Sequence, residues 1–382
     1  AGSQWQNAYS LQGPTPLFSL PDVSFSDPPA SGWVGDPLGL AVTVDDGVNN
    51  AVPLSGIEWE MTASPGAAPQ LNVVPDRLSA AFIPQAVGAY TVRCAVEGEG
   101  ELGAAGRQVA EVTIQVDRDQ FLTINLAGGA AAETYPVERH AAIADPLVVD
   151  YRESVLLLRR VTAAGESFDM GSPANELGRN DDESQRNVSF TDDYYIGIFE
   201  ITQDQWELVT GEDFQGGGRP VEQVSYDDIR GGAVGSDWPT SAAVDADSFL
   251  GLLRDKSGLA FADLPTEAQW EFSCRAGTTT ALNDGNNLQA EGEDPNLDEL
   301  GRYWYNSGQN NKHAVVGSYQ PNAWGLYDMH GNVGEWCLDW YSGEPPGLTD
   351  PKGPQTGTSR VVRSGSWQDP AKNCRSAARL SE

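Results

Sequence analysis

The chain has 382 residues, with 55 acidic and 23 basic side chains giving a formal charge of −32. So negative a surface repels phosphate backbones and anionic lipid, which excludes nucleic-acid partners and electrostatic membrane binding and leaves cations, basic partners or plain solubility. At 40% hydrophobic the chain can bury a sizeable core, yet no apolar run approaches the ~18 residues that would span a bilayer. The opening Ala1-Gly2-Ser3-Gln4 has no basic stretch and no apolar stretch, so a signal peptide is absent or was removed before this numbering begins. Cys94, Cys274, Cys337 and Cys374 are too few and too scattered for a disulfide scaffold or a zinc site. His140, His313 and His330 lie far apart, which removes most zinc hydrolases and histidine-rich iron enzymes.

Residues 1 to about 37 are rich in proline, serine and glycine, and predict an extended, unpacked segment. From there to about 118 the pattern is all-β. Strands are expected at Leu40–Val44, Ile57–Met61, Tyr90–Cys94 and Val109–Val116, where apolar and polar residues alternate. Turns are expected at Asp45-Asp46-Gly47, Ser64-Pro65-Gly66 and Glu97-Gly98-Glu99-Gly100. Short strands with regular punctuation predict a sandwich, and Gly88-Ala89-Tyr90-Thr91-Val92-Arg93-Cys94 resembles a late strand of immunoglobulin-like domains. With one cysteine in the segment, no inter-sheet disulfide can form. Residues 119–150, with the flexible Gly128-Gly129-Ala130-Ala131-Ala132 behind a strand-like Phe121–Leu126, read as a linker or connecting strand.

From residue 151 glycine, tryptophan and acidic residues are dense and periodic helices few. Helices are expected at Ser241–Ser257 and at Thr266–Arg275, the second opened by a capping box of Thr266 and Gln269. A large loop-rich domain needs more than helix and sheet ladders to hold it, and bound cations are one answer. In chain order this part carries Phe168-Asp169-Met170-Gly171-Ser172, Tyr194–Thr202, Arg219–Ser225 and Leu264–Glu271. Then follow Gly325-Leu326-Tyr327-Asp328-Met329-His330-Gly331-Asn332-Val333-Gly334-Glu335-Trp336, Arg360–Trp367 and Arg375-Ser376-Ala377-Ala378-Arg379.

Together these blocks resemble the formylglycine-generating enzyme (sulfatase-modifying factor) domain over about residues 150 to 382, and nothing comparable covers the first 118. The resemblance implies a C-type-lectin-like fold. The expected fold class is therefore a mainly β N-terminal sandwich (1–118) followed by a loop-rich α+β domain (151–382). Domains similar to this one include copper-dependent oxidases that turn a sulfatase cysteine into formylglycine. Others are ergothioneine-pathway sulfoxide synthases and ligand-binding variable proteins of diversity-generating retroelements; fold alone does not choose among them.

In the oxidases two closely spaced cysteines follow the Gly-Ser-aromatic block and form a soft site suited to Cu(I). Here Gly365-Ser366-Trp367 is followed by Asp369 where the first cysteine would stand, while Cys374 could match the second. One thiolate with a hard carboxylate makes a poor Cu(I) site, so Cys374 is catalytic only if the oxidase reading holds. Three dispersed histidines cannot supply the iron site of a sulfoxide synthase; His330 is expected in a loop position and His313 in a surface turn. The resemblance also pairs Glu335-Trp336-Cys337 with Cys374-Arg375-Ser376-Ala377, implying a Cys337–Cys374 disulfide; the alternative is two buried thiols, with Cys274 in the core.

It implies too a Ca2+ site from the Asp328 side chain, the Gly331 and Val333 carbonyls and Glu335, with Gly334 in place of the usual tryptophan. A capped turn, with Asp328 and Glu335 bonded to backbone amides, is the alternative. Trp304, Tyr305, Trp324 and Trp367, with Tyr319, Trp340 and Tyr341, either line a face for a protein or glycan ligand or fill the core. Residues 360 to 382 hold one asparagine and no tyrosine, a weak signal for retroelement-driven variation. The family's usual final Gly-Phe-Arg strand does not follow Arg379-Leu380-Ser381-Glu382; truncation or processing accounts for this. A groove left for a neighbouring chain, or for the segment before residue 38, is the alternative and would permit self-assembly. The leading expectation is an exported, extracellular or cell-surface protein that binds or builds rather than catalyses.

Overall fold

The computed structural model describes residues 22–29, 31–33, 38–45, 57–64, 70–73, 78–84, 86–99, 105–214, 216–308, 312–343 and 348–382. The chain divides into two compact units, Ala1–Asp119 and Gln120–Glu382. In the first, period-2 alternation does what it predicts: Tyr90, Val92, Cys94 and Val96 along one strand are all buried. The strands are β1 (Asp22–Phe25), β2 (Ser31–Trp33), β3 (Leu38–Asp45), β4 (Ile57–Ser64), β5 (Asn72–Val73), β6 (Ser79–Phe82), β7 (Gly88–Glu99) and β8 (Ala105–Asp117). They form two sheets, β1-β3-β6-β5 and β2-β8-β7-β4. Between the sheets Leu38, Leu40 and Phe82 pack against Tyr90, Val92 and Ile114. The Tyr90 hydroxyl donates to the Ala86 carbonyl at 2.8 Å, tying a buried phenol back to the chain just upstream.

Two expectations change here. Residues 22–25 and 31–33 are paired strands rather than an unpacked extension, because β1 zips antiparallel onto β3 and β2 lies parallel to β8. The turn expected at Glu97–Glu99 is strand, since β7 runs on against β8 to the Glu99–Ala105 pair. Asp46-Gly47, Pro65-Gly66 and Gly100 lie outside the described residues, as does the segment before residue 22.

The second unit opens with β9 (Phe121–Asn125) and β10 (Val137–His140), so of the linker or connecting strand expected over 119–150 it is the strand that forms, paired into this unit's sheet. After α1 (Asp150–Glu153) come β11 (Val155–Val161), β12 (Ser167–Met170), β13 (Arg186–Ser189) and β14 (Tyr194–Gly197). The main sheet has the order β10-β9-β11-β14, with β12 and β13 forming a separate pair. Helices α2 (Gln203–Thr210), α3 (Tyr226–Arg230), α4 (Phe249–Ser257) and α5 (Glu267–Arg275) precede a last sheet of β15 (Glu335–Trp340), β16 (Arg360–Arg363) and β17 (Leu380–Ser381). Leu380 and Ser381 pair with Val362 and Val361, so the chain's own end occupies that edge of β16.

Neighbouring residues on a strand point to opposite faces. Leu156 joins Trp206 and Val209 of α2 and Phe249 and Leu253 of α4 in one core, while Leu157 joins Trp270 and Cys274 of α5, Leu326 and Val361 in another. The motif loops gather in the second core. No described helix is long and apolar enough to cross a membrane.

Candidate functional site

The segment from Asp328 to Glu335 enters β15 through a tight loop built by left-handed residues, Asp328 at φ 56°, Gly331 at 85° and Asn332 at 62°. A Cβ at residue 331 would run into the Arg302 carbonyl, so only glycine fits there. Ser364 fastens the loop from β16's end: its hydroxyl donates to the Gly331 carbonyl at 2.8 Å, and its carbonyl accepts the Gly331 N–H at 2.8 Å. Asn332 donates its backbone N–H to the Arg302 carbonyl at 2.7 Å and its side-chain amide to Glu200 at 2.6 Å. The other Glu200 oxygen accepts the Val333 N–H at 3.1 Å.

Three carboxylates therefore share this interior. Asp328 accepts one N–H, from Gly317 at 2.7 Å, while its Oδ1 is buried with no partner. Burial pushes its carboxyl up to about 7. Glu335 accepts from the Trp270 indole at 2.8 Å and is likewise pushed up to about 7, by burial first and by the charge of Asp328 after it. Glu200 is raised well above the usual carboxylate range by burial and then by Asp328 and Glu335. Its amide bonds to Asn332 and Val333 only partly offset this. Buried like charges without a nearby cation favour protons, and a cation would replace those protons.

The donor set suits a hard, oxygen-loving cation: carboxylates, an orphaned Asp328 oxygen and backbone carbonyls on a glycine turn. Among the described residues no three His, Cys, Asp or Glu side chains converge as a ready-made metal site, so carbonyl oxygens would have to complete the shell. Glu200 was not singled out in the sequence. It stood inside the Tyr194–Thr202 block, far along the chain from its partners, and only folding brings it beside them.

The position of the oxidases' thiol pair looks different. Asp369 is held by the Ser366 hydroxyl at 2.6 Å and the Asn373 amide at 2.8 Å, and its carbonyl accepts the Trp304 N–H. Cys374 is buried among Ala281, Leu282, Leu288, Leu297, Leu300, Tyr303 and Ala371. Burial, then the charge of Asp369, push its thiol far above the ordinary value. That is the environment of an inert thiol rather than a nucleophile. The expected Cys337–Cys374 disulfide does not form. Both thiols are free and buried, because Cys337 packs with Trp270, Cys274 and Val361 in a different core from Cys374.

Other expected sites also move. Trp324 is partly buried and packs against the core, crossing Phe272 edge-on at 5.1 Å. Trp340 and Tyr341 are covered by the guanidinium groups of Arg360 and Arg379. Trp304 and Tyr305, by contrast, are 48% and 49% exposed, and Trp367 is half-buried with its backbone N–H donated to the Asn332 carbonyl. His330 is a core histidine: Nε2 accepts the Asn283 N–H at 3.1 Å and Nδ1 meets the Cys374 carbonyl at 2.6 Å. Burial lowers its pKa to about 4. His313, expected in a surface turn, is buried as well, with Nε2 on Glu222 at 3.2 Å.

A loop-rich, C-type-lectin-like domain with this set of loops defines a class before it defines an activity. Residues 152–382 match the family described as the Sulfatase-modifying factor enzyme 1-like domain, and the chain belongs to that family. It is 30% identical over 217 residues to the chaperone protein LppX of Paenibacillus barcinonensis, covering 48% of this chain and 72% of LppX. It is 39% identical over 114 residues to the formylglycine-generating enzyme of Thermomonospora curvata, a match spanning 38% of that enzyme. Treponema denticola variable protein 1 superposes with a TM-score of 0.45 at 27% identity, over 60% of this chain and 90% of the other.

Proposed function

We propose that the chain is an exported binding or surface-structural protein whose family domain holds Ca2+ and performs no copper oxidase chemistry. The observation that carries this reading is residue 369. A carboxylate engaged by Ser366 and Asn373 stands where the resemblance calls for a thiol, and Cys374 is sealed in an apolar core. Cu(I) prefers soft sulfur ligands, and one buried thiol beside a hard carboxylate does not provide a pair. The likeness to LppX supports the reading, since a chaperone's work is binding. Ca2+ would be held by the Asp328 side chain, the Gly331 and Val333 carbonyls and Glu335, with Glu200 close enough to share the charge. The cation would supply structural charge compensation rather than catalysis. Trp304, Tyr305 and Trp367 offer a rigid amphipathic face for a protein or glycan ligand.

The test is anaerobic Cu(I) titration together with incubation of a cysteine-containing sulfatase peptide in air. The expected result is no stoichiometric copper uptake and no formylglycine. Peptide turnover abolished by Cys374→Ser would overturn the reading in favour of a copper-dependent oxidase.

A further inference from the structure

Most arginines of the second unit are matched to carboxylates. Arg230 meets Asp263, Arg275 meets Glu271, Arg363 meets Glu267 and Glu271, and Arg375 meets Glu176 and Glu183. Arg219 and Arg302, which meet no described carboxylate, share one place with a third cation. A cavity of about 490 Å3 is lined by Arg219, Arg302, Lys312, His313 and Ala314, with no acidic residue among the described residues of its wall. In a chain with 55 acidic residues against 23 basic ones, three such cations gathered at one cavity are the unexpected element.

The lining is built, not incidental. Arg302 is fixed by bonds to the Lys312, Asn306 and Ser307 carbonyls, and Arg219 by one to the His313 carbonyl. These bonds orient the guanidinium groups while leaving their charge uncompensated, since a carbonyl is a dipole and not an anion. Lys312 is exposed and has no ion pair with any described residue. His313 is only 5% exposed; its Nε2 pairs with Glu222, and its Nδ1, which has no hydrogen-bond partner, is then the ring's acceptor, fit for an N–H or O–H of a ligand rather than for its oxyanion. A buried polar atom without a partner is rare in a folded protein and marks a place where a missing partner belongs.

We infer that this cavity binds a small molecule through an oxyanion group, a carboxylate or a phosphate. Guanidinium groups held in place present forked donors that match either group, and Lys312 adds a mobile point charge at the mouth. The volume lies within the range of small-molecule pockets, larger than a bare anion requires, so a body beyond the anionic group is accommodated. Arg302 also caps the short turn Trp304–Asn306 that carries the exposed Trp304 and Tyr305, placing aromatic surface on the same piece of chain. The inference deepens the binding reading by giving the ligand a charge, and it does not depend on Ca2+.

Isothermal titration at low ionic strength with inorganic phosphate and with succinate tests it on the full chain. Saturable binding of either is expected; phosphate alone would mark a phosphoryl ligand, succinate alone a carboxylic acid. Loss of one charged hydrogen bond in Lys312→Gln or Arg219→Gln should weaken binding by about tenfold. Lys352→Gln, outside the cavity, should leave it unchanged. Absence of saturable binding by both anions, or binding indifferent to Lys312→Glu and Arg219→Gln in folded protein, would overturn the site. Calcium-dependent stability is scored separately on the same samples, so the failure of either claim is visible without the other.

Discussion

Arg363 has no exposed surface and bridges Glu267 at 3.1 Å and Glu271 at 2.6 Å, while Arg379 takes both oxygens of Glu267 at 2.6 and 2.9 Å. Arg375 does the same for Glu183 and reaches Glu176. The arginines of the last sequence blocks are thus internal staples between α5, β16 and distant loops, in a domain with few ladders of its own. Burying a charge pair is costly, but breaking one strands its partner. Arg363→Met should therefore lower stability by about 3–5 kcal/mol in a denaturant titration, because Glu267 and Glu271 lose a shared counter-charge. Arg93→Met, at a pair whose side chains are about half exposed on the first unit, should be close to neutral. If the two variants unfold alike, the staple idea is wrong. In the sequence these arginines, and Glu267 and Glu271 within Leu264–Glu271, were visible as a family pattern, but their pairing was not, since contacts across 96 and 92 residues leave no local mark.

Helices in this domain are short and their starts are chemically fixed. Thr202, Ser225 and Thr266 each form a reciprocal capping box with the residue three positions on. The α5 box, read from Thr266 and Gln269, forms as expected, and α5 ends at Arg275. Helix α4 begins later than expected, at Phe249 rather than Ser241. The reason is tertiary: the Asp245 carboxylate accepts the Ala233 and Val234 N–H groups, each at 2.8 Å, which pulls 241–247 into a loop. Ser248 then takes over as the cap, accepting the Gly251 N–H at 3.1 Å. Removing the α5 cap with Thr266→Ala should cost about 1 kcal/mol by thermal or chemical unfolding, with Thr266→Ser largely restoring it. A loss no greater than that of an exposed Thr→Ala change elsewhere would count against the cap.

At the scale of the molecule, the acid surplus reaches inside. Asp328 and Glu335 sit at about 7 in the folded chain, against ordinary values of 3.8 and 4.5. The folded state therefore holds protons that the unfolded state releases, and their contribution to stability is complete below about pH 4. It is lost as pH rises through about 7. Groups with lowered pKa, such as Glu271 and Asp193, act in the opposite sense, so the useful measurement is a difference. In chelator, Asp328→Asn should match the parent near pH 4 and exceed it in melting temperature at pH 8. Added Ca2+ should stabilise the parent at pH 8 and leave Asp328→Asn little changed. Parallel melting curves across that pH range would refute the account.

What the sequence determined by itself was everything governed by near neighbours. Alternation produced β3, β4, β7, β8 and β9, a threonine and a glutamine started α5, and the ordered motif blocks carried the family. The absence of a second thiol at residue 369 was equally plain. Tertiary structure alone decided which buried groups act on one another: the charges of Asp328 and Glu335 on Glu200, Arg363 with α5, Cys337 in one core and Cys374 in another, and the basic residues at one cavity. Local propensity acts over a few residues of chain, whereas desolvation and charge act through space, and space is assigned only when the chain has folded.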